Sequence, residues 1–444
     1  MVIGRLSAAV AVSISVLIGL GAAAPAPAAL ASSGSHAEPQ RAVRQLPGPH
    51  WQAASWAVPG RPARPAIKVI DSSELDGVFC LTASDCWTVG YFVDGGALLN
   101  LVLHWTGTKW SQVAAPSPGG STSKSDSQLS SVRCTSKANC WAVGYYDKGG
   151  AELSDALHWN GVKWSKVDTP NPGGTLKGDI NSLMDVACTG PDNCWADGDA
   201  GRSASAAKFE GLVNFVLHWN GKKWSPASVP NPAGTRRGDI NLIEAIRCTS
   251  ASDCWAVGAE GKLTNTSLKV LNEILHWNGK KWTEHSVSSQ AKGKYFENVI
   301  ESISCLSASN CWASGVTTTK VAFVNETLHW NGHQWQPVAV PSPKGVTELA
   351  SISCPAVKDC WAVGSVMVVA SGDTVNEALH WTGHKWFKVT TPQPAGTASG
   401  DVSKLLSLRC TSTSNCWAVG QDHTSGQLEQ GQILRWNGTE WVVG

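Results

Sequence analysis

The residues with the most chemistry to offer in this 444-residue chain are its 14 cysteines. They form seven pairs of one spacing: Cys80 and Cys86, Cys134 and Cys140, Cys188 and Cys194, Cys248 and Cys254, Cys305 and Cys311, Cys354 and Cys360, Cys410 and Cys416. Each pair is Cys-x5-Cys and no cysteine is left over. Zinc sites favour Cys-x2–4-Cys with a second pair or a histidine nearby. This spacing therefore predicts disulfides, with no metal. A seven-residue disulfide loop contributes about 2 kcal/mol by chain-entropy arithmetic.

Every second Cys is followed by Trp, mostly as Cys-Trp-Ala-Val-Gly, and a His-Trp-Asn-Gly-x-x-Trp segment follows later, as at His158 to Trp164. The histidines of that segment (His104, His158, His218, His276, His329 and His380) recur once per repeat, which marks them as structural. A catalytic residue should instead break the repeat. Asp197 and Ser314 do so, each replacing the Val of Cys-Trp-Ala-Val-Gly. A carboxylate at a half-buried strand position needs a partner or a shifted pKa. Asp197 is thus the candidate catalytic residue, set against the plainer expectation of a tolerated wet position.

The candidate ligand-binding residues are Asp126, Asp179 with Asn181, Asp239 with Asn241, and Asp401. They precede the first strand of a repeat, where a ring of acids and amides could hold a cation or a polyhydroxy ligand. Turn capping is the simpler expectation for them, and for Asn100, Asn214, Asn272, Asn325 and Asn376. Arg133, Arg247 and Arg409 stand directly before a first Cys. No Gly-x-Ser-x-Gly, His-Glu-x-x-His, phosphate loop or dinucleotide fingerprint occurs, so no cofactor is expected.

Each repeat must position these residues with four strand signals: Leu129 to Cys134, Cys140 to Gly144, Ala156 to Trp159 and Lys163 to Val167 in the second copy. Helical periodicity is absent. The fold class predicted is all-β, a seven-bladed β-propeller with four antiparallel strands and one intrablade disulfide per blade. Trp141 and Val143 would occupy one face of their strand and Ala142 and Gly144 the other, so that bulky and small faces meet between blades. Asn160-Gly161 suits a two-residue hairpin, pairing His158 with Lys163 and Leu157 with Trp164. In the last repeat the same register sets Arg435 opposite Glu440. This turn and the disulfide hairpin share one rim. The variable connections share the other, where function is expected.

Arg5, the apolar stretch Leu6 to Ala24 and the small residues after it predict a signal peptide over 1–31, with cleavage after Ala28 or Ala31. A Pro/Ala-rich linker follows over 32–69, and the propeller spans 70–444. Within the linker, His50, Trp51 and Trp56 reproduce the third-to-fourth-strand spacing. The segment 50–58 is a surplus half-repeat that could add an outer strand to the last blade or compete with the C-terminal strand.

The repeated motifs resemble those of secreted bacterial β-propeller proteins and, more loosely, Asp-box (BNR-like) propellers. The resemblance covers about residues 70–444 and implies architecture rather than activity. The full Ser-x-Asp-x-Gly-x-x-Trp box is missing, and the three arginines only superficially resemble the sialidase triad. A net charge of +1 with 16% charged residues is no nucleic-acid footprint. The expectation is a secreted, extracellular, monomeric and noncatalytic binding or scaffold protein without a membrane span after cleavage. Its ligand would be a glycan, a cell-wall polymer or a protein. The alternative is a secreted sialidase-like glycoside hydrolase or a polysaccharide lyase.

Overall fold

The computed structural model describes residues 72–203, 209–264, 267–287, 295–319 and 322–444. The segments 1–31 and 32–69, with the half-repeat 50–58, lie outside them. All 28 regular elements among the described residues are strands. In blade 1, β1 (Ser72–Thr82), β2 (Asp85–Asp94), β3 (Ala97–Trp105) and β4 (Trp110–Gln112) pair antiparallel in sequence order. Blades 2 to 7 repeat this meander, beginning at Ser127, Asp179, Asp239, Tyr295, Val346 and Val402.

Successive first strands adjoin around the whole ring, including the last against β1, so they line the central axis. Every Cys-x5-Cys pair is an intrablade disulfide across the first hairpin, with Cα atoms 3.9–4.0 Å apart. No cysteine is free.

Blades pack through their tryptophans. Trp87 of blade 1 meets Trp159 and Trp164 of blade 2 at 5.0 and 5.4 Å between ring centroids. The same triad recurs at each interface and closes the ring, where Trp417 of blade 7 meets Trp105 and Trp110 of blade 1 at 4.9 and 5.2 Å. Trp141 and Val143 pack toward blade 3 while Ala142 packs toward blade 1, as the alternation requires. Gly144 is small for a reason within its own blade: a Cβ there would lie 2.0 Å from the Gln128 carbonyl oxygen of the paired first strand, beside the register shift between Leu129 and Ser131.

A polar staple runs beside the apolar contact. Ser302 Oγ accepts from Ile352 N at 3.2 Å and Ser351 Oγ from Leu408 N at 3.1 Å. Ser407 Oγ repeats this with Val78 N at 3.1 Å, across the joint between blade 7 and blade 1. Blade 7 builds all four of its strands from Val402–Ser412, Asn415–His423, Gln430–Trp436 and Trp441–Val443. The ring therefore closes by face packing, reinforced where Ser73 N donates to the Glu429 carbonyl at 3.0 Å.

The hairpin register departs from the sequence expectation. Trp159 stands opposite Trp164 and His158 opposite Ser165, so the loop has four residues, Asn160 to Lys163. The Asn160 side-chain oxygen accepts from both Val162 N and Lys163 N at 3.0 Å, which stabilises the wider turn. Gly161 takes φ 92°. Arg435 accordingly faces Val442, not Glu440. Its guanidinium donates instead to Asn415 Oδ1 at 2.9 and 3.1 Å. In the other blades the histidine makes this contact, as His104 does with Asp85 at 2.8 Å and His329 with Asn310 at 2.8 Å. The residue before each second Cys thus anchors the third strand.

Candidate functional site

The rim opposite the disulfides is built from the second-to-third-strand turns and the blade-to-blade loops. In blades 1 and 2 the turns are tight, Gly95-Gly96 and Gly149-Gly150 with positive φ. Asp179, Asp239 and Asp401 each close a loop. Asp179 Oδ2 accepts from Leu176 N at 2.8 Å, Asp239 Oδ2 from Arg236 N at 2.8 Å, and Asp401 Oδ2 from Ala398 N at 2.9 Å. Their own N–H groups return to the same three carbonyls. Ser125 does this in blade 2, through Thr122 N at 3.0 Å. Asp126 is one position further on; it is half-buried, and its carbonyl accepts from Asp147 N.

Asn181 and Asn241 are fully engaged by backbone. Asn181 accepts from Gly173 N at 2.7 Å and donates to the carbonyls of Glu152 and Gly174 at 3.1 and 2.9 Å. Asn241 does the same with Ala233 N and the carbonyls of Leu212 and Gly234, at 3.0, 3.0 and 2.8 Å. These side chains shape the loops and leave little hydrogen-bonding capacity for a ligand.

The loops leave a cavity of about 220 Å³ at the end of blade 3, between the loops that enter and leave that blade, lined by Pro172, Gly173, Gly201, Gly211, Thr235 and Arg236 among others. Thr235 and Arg236 are exposed, and the glycines bring backbone groups to the surface.

Asp197 lies elsewhere. It is fully buried in the second strand of blade 3, directly opposite Asp185. Neither of its oxygens has a hydrogen-bond partner among the described residues. Burial, followed by the charges of Asp185 and Glu244, pushes its pKa well above the ordinary carboxylate range. Asp185 is served by Ser131 Oγ at 2.5 Å, Ile246 N at 3.1 Å and Arg247 NH1 at 2.5 Å. Burial thus favours the proton-bearing form of Asp197, beside a carboxyl that three donors serve. In this conformation Asp197 has no surface with which to touch a ligand.

Sequence reasoning missed a ladder between third strands. Asn100 Nδ2 donates to Asp155 at 2.9 Å, Asn272 to Glu326 at 2.8 Å, and Asn325 to Glu377 at 2.9 Å, each acid on the next blade. Asn214 donates likewise to Glu273. The signal was present as covariation. Where blade 2 carries Ser154 instead of Asn, blade 3 carries Phe215; where blade 7 carries Gly431, blade 1 carries Leu101. At this third-strand position a buried carboxyl occurs only where a donor faces it.

Arg133, Arg247 and Arg409, far apart in sequence, lie near one another on the axial side of the disulfide rim. Arg133 and Arg409 both lie over the Phe79 ring, at 4.6 and 4.8 Å from its centroid.

No protein-family model matches the chain, and no curated protein does. Solved structures do. The chain is similar to a polysaccharide lyase, a PL25 ulvan lyase bound to a GlcA(1-4)Rha3S saccharide, with TM-score 0.51 and 7% identity over 85% of this chain and 97% of the lyase. It is also similar to YCF48 from Cyanidioschyzon merolae, with TM-score 0.45 and 14% identity over 83% of this chain and 97% of that one. A GH74 xyloglucanase from Xanthomonas campestris gives TM-score 0.49 and 10% identity over 84% of this chain and 55% of the enzyme. At 7% identity the likeness to the lyase is one of fold alone, the β-propeller.

Proposed function

We propose that this protein is a secreted, noncatalytic binding protein whose variable-loop rim holds a glycan, a cell-wall polymer or a protein. The observation that carries the reading is the cavity of about 220 Å³ at the end of blade 3, between the loops that enter and leave it. Its lining offers backbone groups, one hydroxyl and one guanidinium: groups that hold a ligand by hydrogen bonds rather than transform it. A glycan suits this lining best among the three. Seven disulfides fit an oxidising compartment, which supports secretion.

The test is a glycan-array and cell-wall binding screen on the folded protein, repeated with Thr235→Trp, which fills the cavity from an exposed position. Binding by the natural protein that the variant loses supports the reading; binding that Thr235→Trp leaves intact moves the site elsewhere. A second reading, a hydrolase or lyase, is favoured by the Asp197–Asp185 pair, because a carboxyl held protonated directly opposite a second carboxyl is a group equipped for proton transfer.

A further inference from the structure

The residue before the first Cys of each blade differs in kind around the ring. In blades 5 and 6 it is Ser304 and Ser353, whose hydroxyls accept from the N–H of Cys354 and Cys410 at 3.0 and 3.1 Å. In blades 7, 1, 2 and 4 it is Arg409, Phe79, Arg133 and Arg247. One arc of the disulfide rim is therefore cationic, with an aromatic ring inside it.

The charges there are unbalanced. Arg247 is held by Asp185 at 2.5 Å. Arg133 and Arg409 make no ion pair with any described residue, and the Nε of Arg409 is buried without a hydrogen-bond partner. Both guanidiniums rest on the Phe79 ring. Three guanidiniums thus share one carboxylate in a half-buried place. Arginine does not relieve such repulsion by losing its proton at neutral pH. Burial and the neighbouring Arg247 charge push Arg409 down to about 10, still charged at pH 7. For Arg133, burial and the charges of Arg247 and Arg409 act in the same direction. Guanidiniums that outnumber the one carboxylate beside them, two of them without an ion-pair partner among the described residues, fit an oxyanion.

We propose that Arg133 and Arg409, flanking Phe79 and backed by Arg247, form a subsite for an oxyanion group, sulfate or carboxylate, at the disulfide-rim end of the axis. This subsite is on the rim opposite the cavity at the end of blade 3 and stands independently of the function proposed there.

The probes are inorganic sulfate and acetate, each compared with sodium chloride at matched ionic strength, reading Tm and calorimetric binding on the intact protein. Arg133→Gln and Arg409→Gln test the site. Lys109→Gln, an exposed residue in a turn on the same rim, serves as the control. The expected result is a saturable rise in Tm with at least one oxyanion, kept in Lys109→Gln and lost in both arginine variants. In chloride those variants should melt no lower than the natural protein, because a repelling charge has gone. Response to sulfate alone, to acetate alone or to both identifies the oxyanion. Response to neither overturns the proposal. So does a rise that survives in the arginine variants, or their melting lower in chloride with the anion response intact, which would make the guanidiniums structural partners of Phe79. Should the Gln variants fold poorly, Arg133→Lys keeps the charge without the fork, and calorimetry should then read at least a threefold weaker oxyanion affinity; unchanged affinity counts against the site.

Discussion

Gln432 and Asn376 exchange two hydrogen bonds across the interface of blades 6 and 7: Asn376 Nδ2 donates to Gln432 Oε1 at 2.9 Å, and Gln432 Nε2 returns to Asn376 Oδ1 at 3.0 Å. At the four interfaces where an acid replaces Gln432, only the first bond is present. The amide oxygens of Asn100, Asn214, Asn272 and Asn325 have no donor among the described residues. A protonated carboxyl supplies that donor. Burial, the largest influence, already favours the protonated form, pushing Asp155, Glu326 and Glu377 up to about 7.

This fixes a sign for pH dependence. A glutamate titrates near 4.3 in the unfolded chain. Between that value and about 7 the folded Glu377 keeps a proton the unfolded chain has lost, so unfolding free energy falls as pH rises through this window. Glu377→Gln reproduces the Asn376–Gln432 pair. It should match the natural protein at pH 5 and melt about 1–2 °C higher at pH 8. Melting curves at the two pH values check it; a variant less stable at pH 8 would mean that Glu377 is ionised and better paired than its surroundings indicate.

The closing interface should be as strong as an internal one. Trp417 sits against Trp105 and Trp110 as Trp255 sits against Trp330 and Trp335. Trp417→Ala and Trp255→Ala should each cost about 3–5 kcal/mol, measured by denaturant unfolding. A much smaller loss at Trp417 would show that the ring frays at the joint between blade 7 and blade 1. Deleting Leu405 to Gly444 should abolish cooperative unfolding, because blades 1 and 6 would each expose an apolar face.

Nonreducing peptide mapping should recover seven intrablade pairs and no free thiol. Replacing both Cys134 and Cys140 by Ser should lower stability by about 2 kcal/mol while leaving the ring folded, since each disulfide closes only its own hairpin. Collapse of the whole structure would point to a larger constraint than that loop.

Asp197 buries a carboxyl with no hydrogen-bond partner among the described residues, at a cost of about 1–3 kcal/mol. Asp197→Val restores the repeat and should raise the melting temperature, with the largest gain at high pH, where its raised pKa makes ionisation most costly to the fold. Ligand binding on the variable rim should be unchanged. Loss of a hydrolase or lyase activity in this variant would make Asp197 functional and favour the second reading above.

Much of this architecture was legible in the residues. The spacing of Cys80 and Cys86, repeated seven times, identified the hairpin. The alternation of Trp141 and Val143 with Ala142 and Gly144 predicted which faces meet, because strand geometry sends successive side chains to opposite sides. These are local regularities, and repetition makes them unmistakable. The hairpin register was not legible: Asn160-Gly161 is compatible with a two-residue turn, and the four-residue loop is chosen by Asn160 Oδ1 and by Trp159 meeting Trp164. The Asn–acid ladder was written in the sequence as covariation between blades, but its meaning depends on which blade stands next to which. Only the tertiary structure settled the longest-range relations: Ser407 reaching Val78, and Arg133 and Arg409 drawn together over the Phe79 ring. Strand pattern and spacing act between near neighbours, whereas closure of a ring places residues from opposite ends of the chain side by side.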